Sequence, residues 1–277
     1  MSNTINSFPE VLTIAGTDSG GGAGIMADLK TFQARHVFGT AVVVAVTAQN
    51  TLDVQASKLM PQSLINAQFA AIAEDFQIRA CKTGMLGDSN RVRAVVQNLK
   101  KYNFGPIIVD PVMIAKGGTA LLSEEAIVTV KRELLPLATL ITPNIPEAEK
   151  LTGQHIENKV DFQKTARILQ NLGAQNVLIK GGHQNSDTVS DYVLLANQTH
   201  FWLTKPRTHT NRTHGTGDTI SACITAELAH GADLATAIRC GKNYVTATIE
   251  HPIQVGHGHG PLNHWAAQKE GLAYEKI

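Results

Sequence analysis

Cysteine is scarce in this 277-residue chain, which holds only Cys81, Cys223 and Cys240. The number is odd and no CxxC pair occurs, so neither a disulfide framework nor a zinc ribbon is expected. No apolar run reaches the roughly 18 residues that a membrane span requires. An excess of one charge is also missing: 24 basic residues face 23 acidic ones, for a net charge of +1. Nucleic-acid and membrane-surface partners favour a basic excess, so neither is expected. The opening residues, MSNTINSFPE, have no basic start and no apolar core, which argues against a signal peptide. Linkers, internal repeats and low-complexity segments are absent as well. A reducing cytoplasm is therefore the expected compartment. Hydrophobic residues make up 43% of the chain, enough for a sizeable core.

What is present is an alternation. Near-continuous apolar runs at 11–16, 41–49, 80–86, 106–112, 139–144 and 176–181 read as strands. Helical patterns at 24–36, 63–76, 89–103 and 123–135 fall between them, followed by PEAEKLTG and DFQKTARILQNLG. Ser123 before two glutamates is a good helix N-cap. This pattern predicts an α/β fold with a central, mostly parallel sheet covered by helices on both faces. Residues 187–207 break the alternation and read as a hairpin turning near Asn197-Gln198, extending one edge of the sheet antiparallel. One domain is expected over 1–277, with its core at about 11–265.

Ligands of such sheets bind beyond the carboxyl ends of the strands. Polar residues gather at those ends: Thr17-Asp18, Gln49-Asn50, Lys82-Thr83, Asp110, Asn144 and Lys180. Two glycine-rich stretches compete as phosphate sites. Gly22-Ala23-Gly24-Ile25-Met26-Ala27 matches the GxGxxG/A dinucleotide fingerprint. That fingerprint also wants an acid at the end of the second strand, where this chain has Gln49-Asn50; Asp53 lies past it. A nicotinamide oxidoreductase is thus weakly supported, and a P-loop is missing. The second stretch, HGTGDT (214–219), precedes an apolar helical run. It is either an ordinary turn with an acid at a helix start, or an anion hole whose backbone N–H groups face a phosphate beside a proton acceptor.

The ordered stretches LTIAGTDSGGGAGIMADLKTF, AVTAQNT, KTGML, DPVMIAKGG, LITPNIPEAEKLTG, KGGH, HGTGDT and VGHGHGP span Leu12 to Pro261. In them the chain resembles the hydroxymethylpyrimidine/phosphomethylpyrimidine kinases of thiamine biosynthesis, within the ribokinase-like superfamily. The resemblance implies one α/β domain, usually a homodimer, that transfers phosphoryl from ATP with Mg2+. The acceptors would be the pyrimidine's hydroxymethyl group and then the resulting monophosphate. It assigns Gln49, with Ala23, Met85 and Val112, to the pyrimidine. Asp28, one turn into the first helix, is a further candidate substrate contact. Asp110 and Glu147 would hold magnesium, largely through water. Lys180, Asn144, Lys242 and Lys116 would serve ATP, with Lys116 in a flap over 113–121. Gly215, Thr216 and Gly217 would form the anion hole, and Asp218 would take the alcohol's proton.

The chain departs from the family pattern at two places. Asp18-Ser19-Gly20-Gly21-Gly22 replaces a usual Pro or Ser followed by Ser before two glycines. Asp218 stands where many pyrimidine kinases carry Cys and sugar and pyridoxal kinases carry Asp, which keeps a pyridoxal-type kinase as an alternative. HGHGPLNH, with His257, His259 and His264, invites a metal reading, but its glycines leave the imidazoles unfixed. A glycine-rich wall near the nucleotide is the expectation there.

Overall fold

Consecutive residues of a strand point to opposite faces of a sheet, so a strand covered on both sides must be apolar throughout. The computed structural model, which describes residues 7–113, 121–183 and 186–266, shows this arrangement directly. Strand β1 (Glu10–Gly16) is buried along its whole length. Its Val11 joins the apolar cluster on one face, while Leu12 and Ile14 join that on the other. Ile108 and Val109 of β5 (Ile107–Val109) divide in the same way, as do Leu140 and Ile141 of β6 (Leu140–Ile141). Along β7 (Asn176–Ile179), Leu178 faces one cluster and Val177 and Ile179 the other.

The sheet has nine strands in the order β3-β2-β1-β4-β5-β6-β7-β8-β9. The stretch from β2 (Phe38–Gln49) through β1, β4 (Ile78–Thr83), β5 and β6 to β7 is parallel. The predicted hairpin is present as β8 (Thr188–Leu194) and β9 (His200–Pro206), antiparallel at one edge. Gln198 has the positive φ of its tight turn, 68°. The opposite edge is antiparallel too, through β3 (Val54–Leu59), which the apolar pattern did not announce. That strand is mostly exposed, so it carries polar residues, and Lys58 lies on the outer edge strand, a placement that discourages strand-to-strand association.

Helices α1 (Gly24–Ala34), α7 (Thr216–Ala229) and α8 (Leu234–Glu250) cover one face, packing Phe32, Ile224 and Ile238 onto it. Helices α2 (Gln62–Asp75), α3 (Ser89–Lys101), α4 (Glu124–Thr129), α5 (Ile145–Thr152) and α6 (Lys159–Asn171) cover the other. Ser123 caps α4, its Oγ accepting from Ala126 N at 3.2 Å. The predicted helix over 123–135 is interrupted: α4 gives way to a π turn at Val130–Leu134 and a 3-10 turn at Leu135–Leu137, where Pro136 lacks an N–H to continue the ladder. Strand β1 lies between β2 and β4, so the order of winding reverses there. The crevice beyond the carboxyl ends of β1 and β4 is the expected ligand position.

Candidate active site

A cleft of about 790 Å³ opens at that end of the sheet. Its walls come from the carboxyl ends of six strands, from β3, β8 and β9, and from α7 and α8, so residues far apart in sequence face one space.

The first turn of α7 is the most constrained part. Gly215 is its N-cap, with φ 81° and ψ 14°. A side chain there would be strained by that φ, and a Cβ would collide with the carbonyl oxygen of Gly22. The first intrahelical bond runs from Thr219 N to Gly215 O at 2.9 Å. The N–H groups of Thr216, Gly217 and Asp218 therefore have no helical acceptor, and the helix dipole adds positive potential there. Gly217 sets the distance to the opposite wall: a Cβ on it would lie 3.2 Å from Lys180 Nζ and 3.3 Å from Asp110 Oδ2. Asp218 follows, its side chain 13% exposed and lining the cleft.

Asp110, just past β5, accepts from Lys180 Nζ at 3.0 Å and from Thr142 Oγ1 at 3.3 Å. Burial opposes the Lys180 charge, but Asp110 and Glu147 outweigh it and lift the ammonium above the ordinary lysine range. Glu147 has two duties. It closes a capping box on α5, accepting from Asn144 N at 2.8 Å while Asn144 Oδ1 accepts from Glu147 N at 2.9 Å. It also lines the cleft, where burial first and Asp110 second push its carboxyl up to about 7 against the pull of Lys180. Asn144 is thus the helix cap, and it pairs with Lys180 as an isolated parallel bridge.

Gln49, Ala23, Met85 and Val112 line the same cleft. The sequence reading missed His214 here. Its Nε2 lies 3.0 Å from Asp18 Oδ2 and 3.2 Å from Gln49 Nε2. Asp18 in turn accepts from the N–H groups of Gly20, Gly22 and Ala23 at 2.8, 3.0 and 2.9 Å. Burial works against its charge, but the His214 ring and these N–H groups hold the carboxyl below its usual range. This bears on the GxGxxG match. The glycine-loop donors that a pyrophosphate would need are taken by an internal carboxylate, so the loop is a folded support and not a phosphate cradle.

Two expectations need correction, those for Asp28 and for the VGHGHGP stretch. Asp28 does not face the cleft: it is fully buried, with Oδ2 accepting from Thr13 Oγ1 at 2.6 Å and Oδ1 paired with Lys82 Nζ at 2.7 Å. Both oxygens are engaged inside, so it has no surface to offer a substrate. Lys242 lines the cleft, but its ammonium pairs with Asp191 at 2.8 Å, and Asp191 also accepts from Gly181 N. The pair joins α8 to β8 at the cleft wall. The VGHGHGP stretch packs on Thr51 and His214, through His259 N to Thr51 O at 2.8 Å and His214 N to Gly260 O at 3.3 Å. None of its residues lines the cleft, so the expected glycine-rich wall is not found there. His264 hydrogen-bonds Thr219 at 3.0 Å, and no group of three or more His, Cys, Asp or Glu among the described residues is set to hold a metal. Lys116 and most of the proposed flap, 114–120, lie outside the described residues.

The phosphomethylpyrimidine kinase family profile matches residues 18–263. The hydroxymethylpyrimidine/phosphomethylpyrimidine kinase of Haemophilus influenzae is 53% identical over 265 residues, 95% of this chain and 98% of its own length. Among solved structures, the phosphomethylpyrimidine kinase of Clostridium difficile aligns with a TM-score of 0.76 at 41% identity, over 86% of this chain and 97% of its own. The ADP complex of Bacillus subtilis pyridoxal kinase aligns with a TM-score of 0.88 at 36% identity, over 95% and 99%. The chain belongs to the phosphomethylpyrimidine kinase family.

Proposed function

We infer that this chain transfers the γ-phosphoryl group of ATP to 4-amino-5-hydroxymethyl-2-methylpyrimidine and then to its monophosphate, as a step of thiamine biosynthesis. The observation that carries the reading is the convergence, in one cleft of a pyrimidine-kinase family member, of a helix N-terminus, Lys180 and the carboxylates of Asp110, Glu147 and Asp218. Phosphoryl transfer calls for positioning and for fixed positive groups around the moving phosphoryl oxygens. The N–H groups at Gly215, Thr216 and Gly217 and the ammonium of Lys180 have that character. Gln49 presents both a donor and an acceptor, which suits the edge of an aminopyrimidine. Met85, Val112 and the backbone at Ala23 would pack about the ring.

In the first reaction the hydroxymethyl oxygen bonds to the γ-phosphorus as the bond from that phosphorus to the β-bridging oxygen breaks. The alcohol's proton passes to the Asp218 carboxylate and ADP leaves. In the second, a phosphate oxygen of the monophosphate attacks in the same way and needs no strong base. Asp110 and Glu147 would hold Mg2+. Few carboxylates beside a space for phosphate suit this ion, which keeps most of its water, and the gap opened by Gly217 lies beside Asp110. The ion would neutralise charge on the nucleotide phosphates. We further take 1–277 to be one domain acting as a cytoplasmic homodimer; no helix among the described residues is long and apolar enough to cross a membrane.

A second reading, phosphorylation of pyridoxal, is favoured by one observation: an acid, Asp218, stands at the head of α7, and the overlaid pyridoxal kinase is close in structure. A phosphorylation assay over the hydroxymethyl pyrimidine, its monophosphate, pyridoxal and a sugar separates the two. Turnover of both pyrimidines well above pyridoxal supports the main reading. Turnover of pyridoxal alone overturns it.

A further inference from the structure

Beneath the cleft lies a charged pair, neither member of which lines it. Lys82 of β4 and Asp28 of α1 are both completely buried, 2.7 Å apart. Lys82 Nζ is also 3.6 Å from Asp218 Oδ1, so the ammonium sits between two carboxylates, one sealed and one facing the cleft. Gly84, one residue past β4, lies beside this contact: a Cβ there would sit at an ordinary packing distance, 3.8 Å, from both Asp218 Oδ1 and Lys82 Nζ. Burying an ion pair is costly, and well-packed apolar residues stabilise a core at least as well. Stability alone therefore does not account for charge at this place. The pair has one neighbour with chemistry to perform, and it is Asp218.

We propose that Lys82 and Asp28 are positioning residues for Asp218. Lys82 fixes one carboxylate oxygen and leaves the other for the acceptor's proton, while Asp28 balances Lys82 so that Asp218 remains a base. This rests on the reading of Asp218 as proton acceptor. An unbalanced ammonium at 3.6 Å would hold Asp218 ionised but make it a poor acceptor; no ammonium at all would leave it unanchored. Burial opposes the charge on Lys82, and Asp28, Asp218 and Asp110 together outweigh it and keep the ammonium protonated. The charged groups around Asp218 are thus Lys82 on β4, Asp28 on α1, Asp110 past β5 and Lys180 past β7.

The test compares wild type with Lys82→Met, Asp28→Asn, the double variant and Asp218→Asn. It reads kcat and KM for the hydroxymethyl pyrimidine across pH, with melting temperature alongside. Asp28→Asn leaves Lys82 to Asp218 alone, so kcat falls about 10-fold or more and its acidic limb moves to lower pH. Lys82→Met moves the acidic limb to higher pH. Both KM values stay near wild type. The double variant contains no unpaired charge and turns over faster than Asp28→Asn. Limbs that move together or not at all overturn the proposal, as does a double variant no faster than Asp28→Asn. Should the single variants fail to fold, the double variant decides. A melting temperature near wild type with kcat about 3-fold lower supports the pair's role, and an unchanged kcat overturns it. Wild-type turnover in Asp218→Asn is a different failure, that of the base assignment itself.

Discussion

Asp110 and Lys180 meet at 3.0 Å directly opposite Gly217, on the far wall from the first turn of α7. The three come from the end of β5, the end of β7 and a helix on one face of the sheet. Their meeting creates a gap with N–H donors on one side and an ammonium and a carboxylate on the other. Such a gap suits a phosphoryl group held with its metal ion.

Gly217→Ala tests whether the gap is used. The added Cβ would lie 3.2 Å from Lys180 Nζ and 3.3 Å from Asp110 Oδ2, closer than such contacts normally come. Alanine in a helix is favoured over glycine by roughly 0.5–1 kcal/mol, so the melting temperature should hold or rise. Turnover should fall on the order of 10- to 100-fold, because small displacements of reacting groups are costly. Unchanged turnover would move the phosphoryl group elsewhere.

Glu147→Gln separates the two duties of that residue. A glutamine carbonyl still accepts from Asn144 N, so the capping box and the fold should survive. The magnesium needed for half-maximal rate should rise. In wild type that requirement should also rise as the pH drops below about 7, since the Glu147 carboxyl titrates there and its protonated form is a poor ligand. The variant should lose this pH dependence. A magnesium titration identical to wild type would place the ion on other groups.

His264 supplies a pH test of stability. Burial first, and the charge of Lys30 second, lower its pKa from 6.5 to about 4. The folded state thus binds this proton less readily than the unfolded chain. The stability tied to neutral His264 is complete above 6.5 and is lost as the pH falls toward 4. The span is on the order of 3 kcal/mol at most. Denaturant unfolding across pH 4 to 7 should show the loss, and His264→Gln should flatten it. An equal slope in the variant would assign the loss to other groups.

The parallel sheet was legible because burial on both faces forces whole strands to be apolar, as in β1 and β7. Strand β3 was not, since an exposed edge carries no such signature. Helix α8 was overlooked although Leu234, Ala237, Ile238, Val245 and Ile249 share one side of it. Gln49, Asp110, Asn144 and Lys180, read from the sequence as strand-end residues, line one cleft, and Glu147 joins them from the first turn of α5. Sequence spacing gave no way to see that Asp28 turns inward to Lys82, that Lys242 is taken by Asp191, or that His214 joins Asp18 to Gln49. Those are pairings between distant segments, fixed only once the chain has folded. A signal for Lys82 did exist: a lysine inside an apolar strand needs a buried partner, and Asp28 is an acid on the apolar helix that follows β1.

The central claim is that Asp218 accepts the alcohol's proton, and turnover of Asp218→Asn on the hydroxymethyl pyrimidine tests it most directly. General-base help is worth on the order of 10²–10⁴ in rate, so turnover should fall by that order with ATP binding and melting temperature near wild type. The opposite view makes Asp218 an ordinary acid in the first turn of α7, stabilised by the helix dipole. Asparagine keeps the size and most of the hydrogen-bonding capacity of aspartate, so on that view turnover as well as stability stays near wild type. A variant that folds, binds ATP and still turns over the pyrimidine at the wild-type rate would contradict the account.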